Sequence, residues 1–128
     1  VLHVADAAMA ADIGVDAIIV SNHGGRQLDC APSSISVLPE IVTAVGSRVE
    51  VMIDGGIRRG SHIAKALALG ARGVMIGRPY IWGLATYGQR GVTHVVEMLR
   101  TEFEMAMALL GAPGIADLGP DLLWPPPA

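Results

Sequence analysis

Two rhythms of apolar residues run through this chain. Three short runs are almost continuously apolar: Ala17-Ile18-Ile19-Val20, Val49-Glu50-Val51-Met52-Ile53 and Val74-Met75-Ile76. Runs so short and so apolar suit strands of a parallel sheet covered on both faces. Between and after them the apolar positions recur at helical spacing. They predict helices over Ala5 to Ile13, Pro32 to Val45, Ile63 to Leu69 and Val92 to Leu110. Each strand follows a helical run and a glycine (Gly14, Gly46 or Gly70), the residue best able to take the left-handed conformation that ends a helix.

Local signals refine this pattern. Pro32 suits a first helical turn, Pro39 predicts an irregularity, and Ser61 is a natural cap for the third helix. The fourth helix carries one stripe, Val92, Val95, Val96, Leu99, Phe103, Ala106 and Leu110, and Gly111 ends it. Its methionines Met98, Met105 and Met107 read as core filling. The tail from Pro113 to Ala128, ending Trp124-Pro125-Pro126-Pro127, is expected to be extended and loosely packed. The fold class is therefore α/β, built from βα units with right-handed crossovers. A whole (β/α)8 barrel takes roughly 250 residues, and this chain has 128, so it is expected to be part of one, entered partway through a unit.

Composition narrows the function classes. Hydrophobic residues make up 52% and charged ones 16%, with a mean hydropathy of +0.49, so the apolar surplus belongs to a core or an interface. No apolar run approaches the roughly 18 residues of a membrane span, and no signal-peptide pattern opens the chain. A net charge of −3 without basic blocks gives no support to nucleic-acid binding. Cys30 is the single cysteine, which makes a reducing cytoplasm the default and a buried or half-buried thiol the expected state.

Chemistry gathers where the strands end. The first releases Ser21-Asn22-His23-Gly24-Gly25-Arg26-Gln27-Leu28-Asp29. Here an imidazole able to take a proton near neutrality stands three residues from a guanidinium able to grip a carboxylate. The second releases Asp54-Gly55-Gly56-Ile57-Arg58-Arg59-Gly60 and the third Gly77-Arg78-Pro79. Consecutive glycines let backbone N–H groups converge on an anion. Gly77 leads into a helix whose first turn holds Pro79, so its free N–H groups and dipole face the loop beside Arg78. Asp54, deeper at its strand end, can accept hydrogen bonds from sugar-like hydroxyls. The competing reading pairs Asp54 with Arg58 or Arg59. His3, His62 and His94 are expected to be solvated, and Arg48, Arg72, Arg90 and Arg100 to be surface charges. No metal is expected.

Together the three loops resemble the FMN-dependent α-hydroxy-acid oxidases and dehydrogenases, over essentially the whole chain, as strands six to eight of a TIM barrel. The first motif is specific; the other two are shared in similar form with IMP dehydrogenases and other phosphate-binding barrels. The resemblance implies oxidation of a small L-2-hydroxy acid to the 2-oxo acid, with FMN as cofactor. It implies that His23 is the active-site base and Arg26 the carboxylate clamp, both touching substrate. Ser21 is placed at the flavin ring. Asp54, Gly55, Gly56, Ile57 and Arg58 surround the ribityl chain and phosphate, and Gly77 with Arg78 clamps the phosphate. It also implies that the family's flavin-contacting lysine, the aspartate that orients the histidine, the substrate-contacting tyrosines and the first strands belong to an upstream part. The isolated chain is then expected to be a C-terminal piece, inactive alone and in need of the other barrel half, with a homo-oligomeric full-length form. Membrane attachment in some relatives comes from an upstream insertion. Where many relatives carry an acidic residue after the Ser/Thr cap, His62 is expected to weaken a helix start without touching the site. The alternative is a non-catalytic phosphate- or flavin-binding or interaction module in which His23 and Arg26 are remnants.

Overall fold

Three parallel strands, β1 (Ala17–Val20), β2 (Glu50–Ile53) and β3 (Gly73–Val74), lie side by side in that order in a computed structural model that describes residues 1–124. Ala17 to Val20 pair one-to-one with Glu50 to Ile53, and Met52 and Ile53 pair with Gly73 and Val74. The third strand is shorter than its apolar run predicts because its partner β2 ends at Ile53. Met75 still donates to the Ile53 carbonyl (2.8 Å), one residue past the strand.

Four helices accompany the sheet: α1 (Val4–Asp12), α2 (Ser34–Val45), α3 (Gly60–Ala68) and α4 (Arg78–Leu110). Ile18, Val20, Val51 and Ile53 turn to one face, where Leu38, Ile41 and Val45 of α2 and Ala7 and Ala11 of α1 bury them. The other face is open. Ile19 is 39% and Met75 44% exposed, so the expectation of a sheet covered on both sides fails for these residues. The apolar run was right for the strand but could not say which neighbours cover its second face.

Helix ends depart from the local signals in instructive ways. Gly14 and Gly70 take left-handed φ values of 83° and 94°, as expected. Gly46 does not; at φ −62° it stays right-handed, because one more turn follows in which Arg48 and Val49 both donate to the Val45 carbonyl. Pro32 falls just outside α2, which Ser33 leads, while Pro39 is accommodated inside the helix. Ser61 is not the cap of α3. That role falls to Glu102 of α4, which accepts from the Gly60 N–H (2.9 Å) and from Arg59 (3.0 Å). Gly60 is required at this contact, since a Cβ there would collide with the backbone of Glu102 and Phe103.

The last helix is two arms. It begins at Arg78, breaks at Tyr87 and Gly88 (φ −138° and 59°), and resumes to Gly111, which is left-handed at φ 70°. The arms meet backbone to backbone at Gly83 and Gly91, where a Cβ on either residue would collide with the other's carbonyl. The helical stripe marks only the second arm, and only part of it turns inward: Leu99 is buried, Phe103 packs on the cluster of Ala68, Ala112 and Leu118, and Val96 and Leu110 are exposed. Met107 packs there too, but Met98 and Met105 are solvent-facing rather than core filling. The tail is more ordered than expected. It forms short 3-10 turns at Ile115–Asp117 and Pro120–Leu122, and Leu118 is buried. The proline run at 125–127 lies outside the described residues. No described helix is long and apolar enough to cross a membrane.

Glu102 makes the α3–α4 junction pH-sensitive. The Gly60 N–H and then the Arg59 guanidinium hold its carboxyl below the ordinary glutamate value. A lowered folded-state pKa adds stability above the unfolded value, about 4.3, and loses it as pH falls through the folded one. Glu102→Gln should therefore melt below wild type at neutral pH in thermal unfolding, and the gap should close on acidification below about pH 4.

Candidate functional site

All three strands release their loops at one edge. The ladder continues past the strands, with the Asp54 N–H donating to Val20 (3.1 Å) and Met75 to Ile53 (2.8 Å), so the loops start level. Arg78 then reaches across the rim and donates from Nη2 to the Gly24 carbonyl at 3.2 Å. A cavity of about 230 Å³ opens between the loops, lined by His23, Arg26, Asp54, Gly55, Gly56, Ile57, Arg58, Gly77 and Arg78, with Met75, Ile76, Pro79 and Ile81 as apolar walls. Of the residues singled out in the sequence only Ser21 stands back from it.

Ser21 instead shapes the histidine loop. Its Oγ accepts the His23 N–H at 3.1 Å, and His23 sits at φ 55°, a left-handed conformation costing roughly 1–2 kcal/mol for a residue with a Cβ. Neighbouring bonds hold it there. Asn22 Oδ1 accepts from Gly25 (3.2 Å), Asn22 Nδ2 donates to the Pro32 carbonyl (3.2 Å), and the Asn22 N–H donates to Ser34 Oγ (3.2 Å). Ser34 is only 3% exposed. Gly55, at φ 92°, lets the second loop approach this knot: a Cβ there would lie 3.1 Å from Ser34 Oγ and 3.2 Å from Asn22 Oδ1. The His23 ring and the Arg26 guanidinium are exposed and make no hydrogen bond among the described residues. Both are available to a ligand.

The opposite wall suits an anion with hydroxyls behind it. Gly55 and Gly56 are consecutive left-handed residues (φ 92° and 78°), and nothing lies within 4 Å of a Cβ placed on Gly56. Arg58 lies over the Trp82 ring, 5.5 Å from its centroid, and Arg59 is paired with Glu102. Neither engages Asp54, so the simple ion-pair reading of that aspartate is not realised among the described residues. Its Oδ1 is buried with no hydrogen-bond partner. A buried carboxylate oxygen without a donor is costly, and a polyol hydroxyl would satisfy it. Gly77 caps α4 without a side-chain bond, leaving first-turn N–H groups toward the cavity beside Arg78. Acceptor, amide donors and guanidinium together fit a phosphorylated sugar alcohol.

Two residues weighed lightly in the sequence behave otherwise. His62 is not a solvated bystander: its half-buried ring contacts the Gly56–Arg58 segment through Nδ1. It also lines, with Lys65, Ser33, Ser34 and Ile35, a second cavity of about 410 Å³ that shares Gly55, Gly56, Ile57 and Arg78 with the first. His62 therefore touches the loop that lines the site, contrary to the expectation that it would not. Cys30 is exposed rather than buried, because its loop, Gly25 to Cys30, stands in solvent. His3 and His94 are exposed as expected, His3 capping α1 by accepting the Ala5 N–H at 3.1 Å.

The family model described as FMN-dependent dehydrogenase matches residues 1–125. An L-lactate oxidase of Nostoc sp. is 56% identical, over 92% of this chain and 32% of that protein. A pre-mycofactocin synthase of Mycobacterium tuberculosis is 56% identical, over 98% of this chain and 32% of that protein. Among solved structures, the flavin-binding domain of baker's yeast flavocytochrome b2 superposes with a TM-score of 0.92 at 46% identity, covering 95% of this chain and 32% of that one. A mandelate oxidase carrying a monooxide FMN adduct gives 0.88 at 50% identity, covering 91% and 37%. These structures are TIM-barrel flavoenzymes. The chain spans about a third of the length of the relatives it matches.

Ser34 carries the histidine loop, and its removal is measurable. Ser34→Ala leaves the Asn22 N–H without its partner, which should cost about 1–2 kcal/mol in denaturant unfolding.

Proposed function

The chain belongs to the FMN-dependent dehydrogenase family, whose cofactor is FMN, and we propose that it supplies strands six to eight of a (β/α)8 barrel that oxidises a small L-2-hydroxy acid to the 2-oxo acid. The observation that carries this reading is the unpartnered Oδ1 of Asp54, in the same cavity as a free imidazole and three arginines. In this reading Asp54 receives a ribityl hydroxyl. Gly55, Gly56, Ile57, Arg58, Gly77 and Arg78 surround the ribityl chain and phosphate, and Ser21 lies toward the flavin ring. Bound there, FMN supplies a two-electron acceptor.

The protein's own groups do the rest. Arg26 grips the substrate carboxylate through a two-pronged hydrogen bond and so fixes which way the hydroxyl-bearing carbon faces. The ring of His23 takes a proton from that substrate as two electrons leave it. Its left-handed backbone places it at the cavity, and the Ser21, Asn22 and Ser34 bonds hold the loop backbone in that shape. Met75, Ile76 and Ile81 give the cavity an apolar wall. The relatives' own names include a lactate oxidase and a 2-hydroxyacid oxidase, which favours a small hydroxy acid as the substrate class.

A second reading is a flavin- or phosphate-binding module without turnover, in which His23 and Arg26 are remnants and the His23 ring has no carboxylate partner. Such a partner normally sets the tautomer and stabilises the imidazolium.

One assay separates the two readings. In the protein with its complete barrel, glycolate, lactate or mandelate should bleach the yellow flavin absorbance. His23→Ala should slow that bleaching by about 10²–10⁴-fold while leaving the flavin bound, and Arg26→Ala should raise KM. A protein that binds flavin but is bleached by none of the acids would establish the module instead. Among the described residues the rim stands beside an uncovered sheet face, where Ile19 and Met75 are exposed. A flavin titration of this chain alone should give no tight stoichiometric binding; tight binding would overturn the partial-site reading.

A further inference from the structure

We infer that His62 is a positioning residue for the phosphate-facing loop, holding Gly56-Ile57-Arg58 in the shape that receives the phosphate; the inference rests on the flavin reading above. The ring stands in the first turn of α3, two residues after Gly60, and reaches back over the loop. The Arg58 N–H donates to its Nδ1 at 3.3 Å, and the same nitrogen lies 3.2 Å from the Gly56 carbonyl oxygen. Those two groups belong to the peptide units on either side of Ile57, itself only 6% exposed. One ring nitrogen therefore brackets the turn. With Nδ1 unprotonated it takes the Arg58 N–H, and with Nδ1 protonated it gives its proton to the Gly56 oxygen. Either state ties the turn to the helix.

The loop needs such a tie. It follows two left-handed glycines, Gly55 and Gly56, and glycine backbones carry the greatest conformational freedom to be lost on ordering. Ile57 anchors the middle of the turn in the core, and Trp82 lies under the Arg58 guanidinium at 5.5 Å. The Arg58 backbone is the part left over, and His62 holds it. The charge at this position also matters. A first-turn Glu commonly reaches back to cap an upstream N–H, but a carboxylate here would stand behind a loop meant for an anion. An imidazole makes the bond without that repulsion.

The test compares FMN with riboflavin, which lacks only the phosphate, on the protein with its complete barrel. His62→Leu removes the tie. His62→Asn keeps a side-chain oxygen about where Nδ1 stands, so it can still accept the Arg58 N–H. His62→Leu should weaken FMN roughly fivefold to tenfold and leave riboflavin affinity unchanged, and His62→Asn should restore FMN binding. Amide hydrogen exchange at Arg58 should be faster in the Leu variant and near wild type in Asn. If the Leu variant fails to fold, His62→Ala, which leaves no polar side-chain atom to reach the loop, takes its place. Equal loss of both flavins, or no loss of FMN with unchanged Arg58 exchange, would overturn the inference while the flavin reading stands. A wild-type protein that holds no FMN would overturn the flavin reading and the phosphate role of His62 with it.

Discussion

The parallel ladder running in register from Val20 through Ile53 to Val74 is the constraint on which the site depends. Strands in a sheet lie less than 5 Å apart, and parallel strands with helical returns all point their ends the same way. Residues separated by 54 positions, such as Gly24 and Arg78, thereby become hydrogen-bond neighbours. The alternation of side chains adds a second requirement. A slip of one residue in β2 would exchange its buried and open faces and move Asp54 out of level with the loops beside it. Register therefore fixes both where the loops emerge and which groups they offer each other.

Support for the rim comes from behind it, from helix to helix. Glu102 of α4 caps α3 at Gly60, His62 of α3 grips the glycine loop, and Ser34 of α2 grips the histidine loop. Glu102 and Ser34 arrive by tertiary approach, whereas His62 reaches back from its own helix to the loop just before it. The two-armed α4 adds its own condition through the Gly83–Gly91 contact, where its arms meet backbone to backbone. The chemistry sits on loops, but helices that carry none of it determine the loop shapes.

Much of this was legible in the residues themselves. Strand ends followed by His-Gly-Gly-Arg, Asp-Gly-Gly and Gly-Arg pointed to one rim, and the structure lines one cavity with nine of the ten residues named for it. What the chain did not disclose was set by contacts distant in sequence. Ser61 looks like a cap, yet a carboxylate 42 residues away from Gly60 takes that place. Gly46 looks like a helix stop, yet a further turn defers the reversal. Met98 and Met105 fit a core by composition but fall on the outer side of α4, because helical spacing locates a stripe without saying how wide its cover is. His62 carried no local sign of its role beyond standing in a first helical turn after a glycine loop.

The left-handed backbone of His23 has an evolutionary consequence. At φ 55° glycine would sit with less strain than histidine, so a lineage selected only for folding would drift toward the smaller residue at that position. An imidazole there carries a backbone cost that glycine would not, and the Ser21 and Asn22 bonds offset it. The same tension runs through active sites generally, where local strain is retained for the sake of a reacting group.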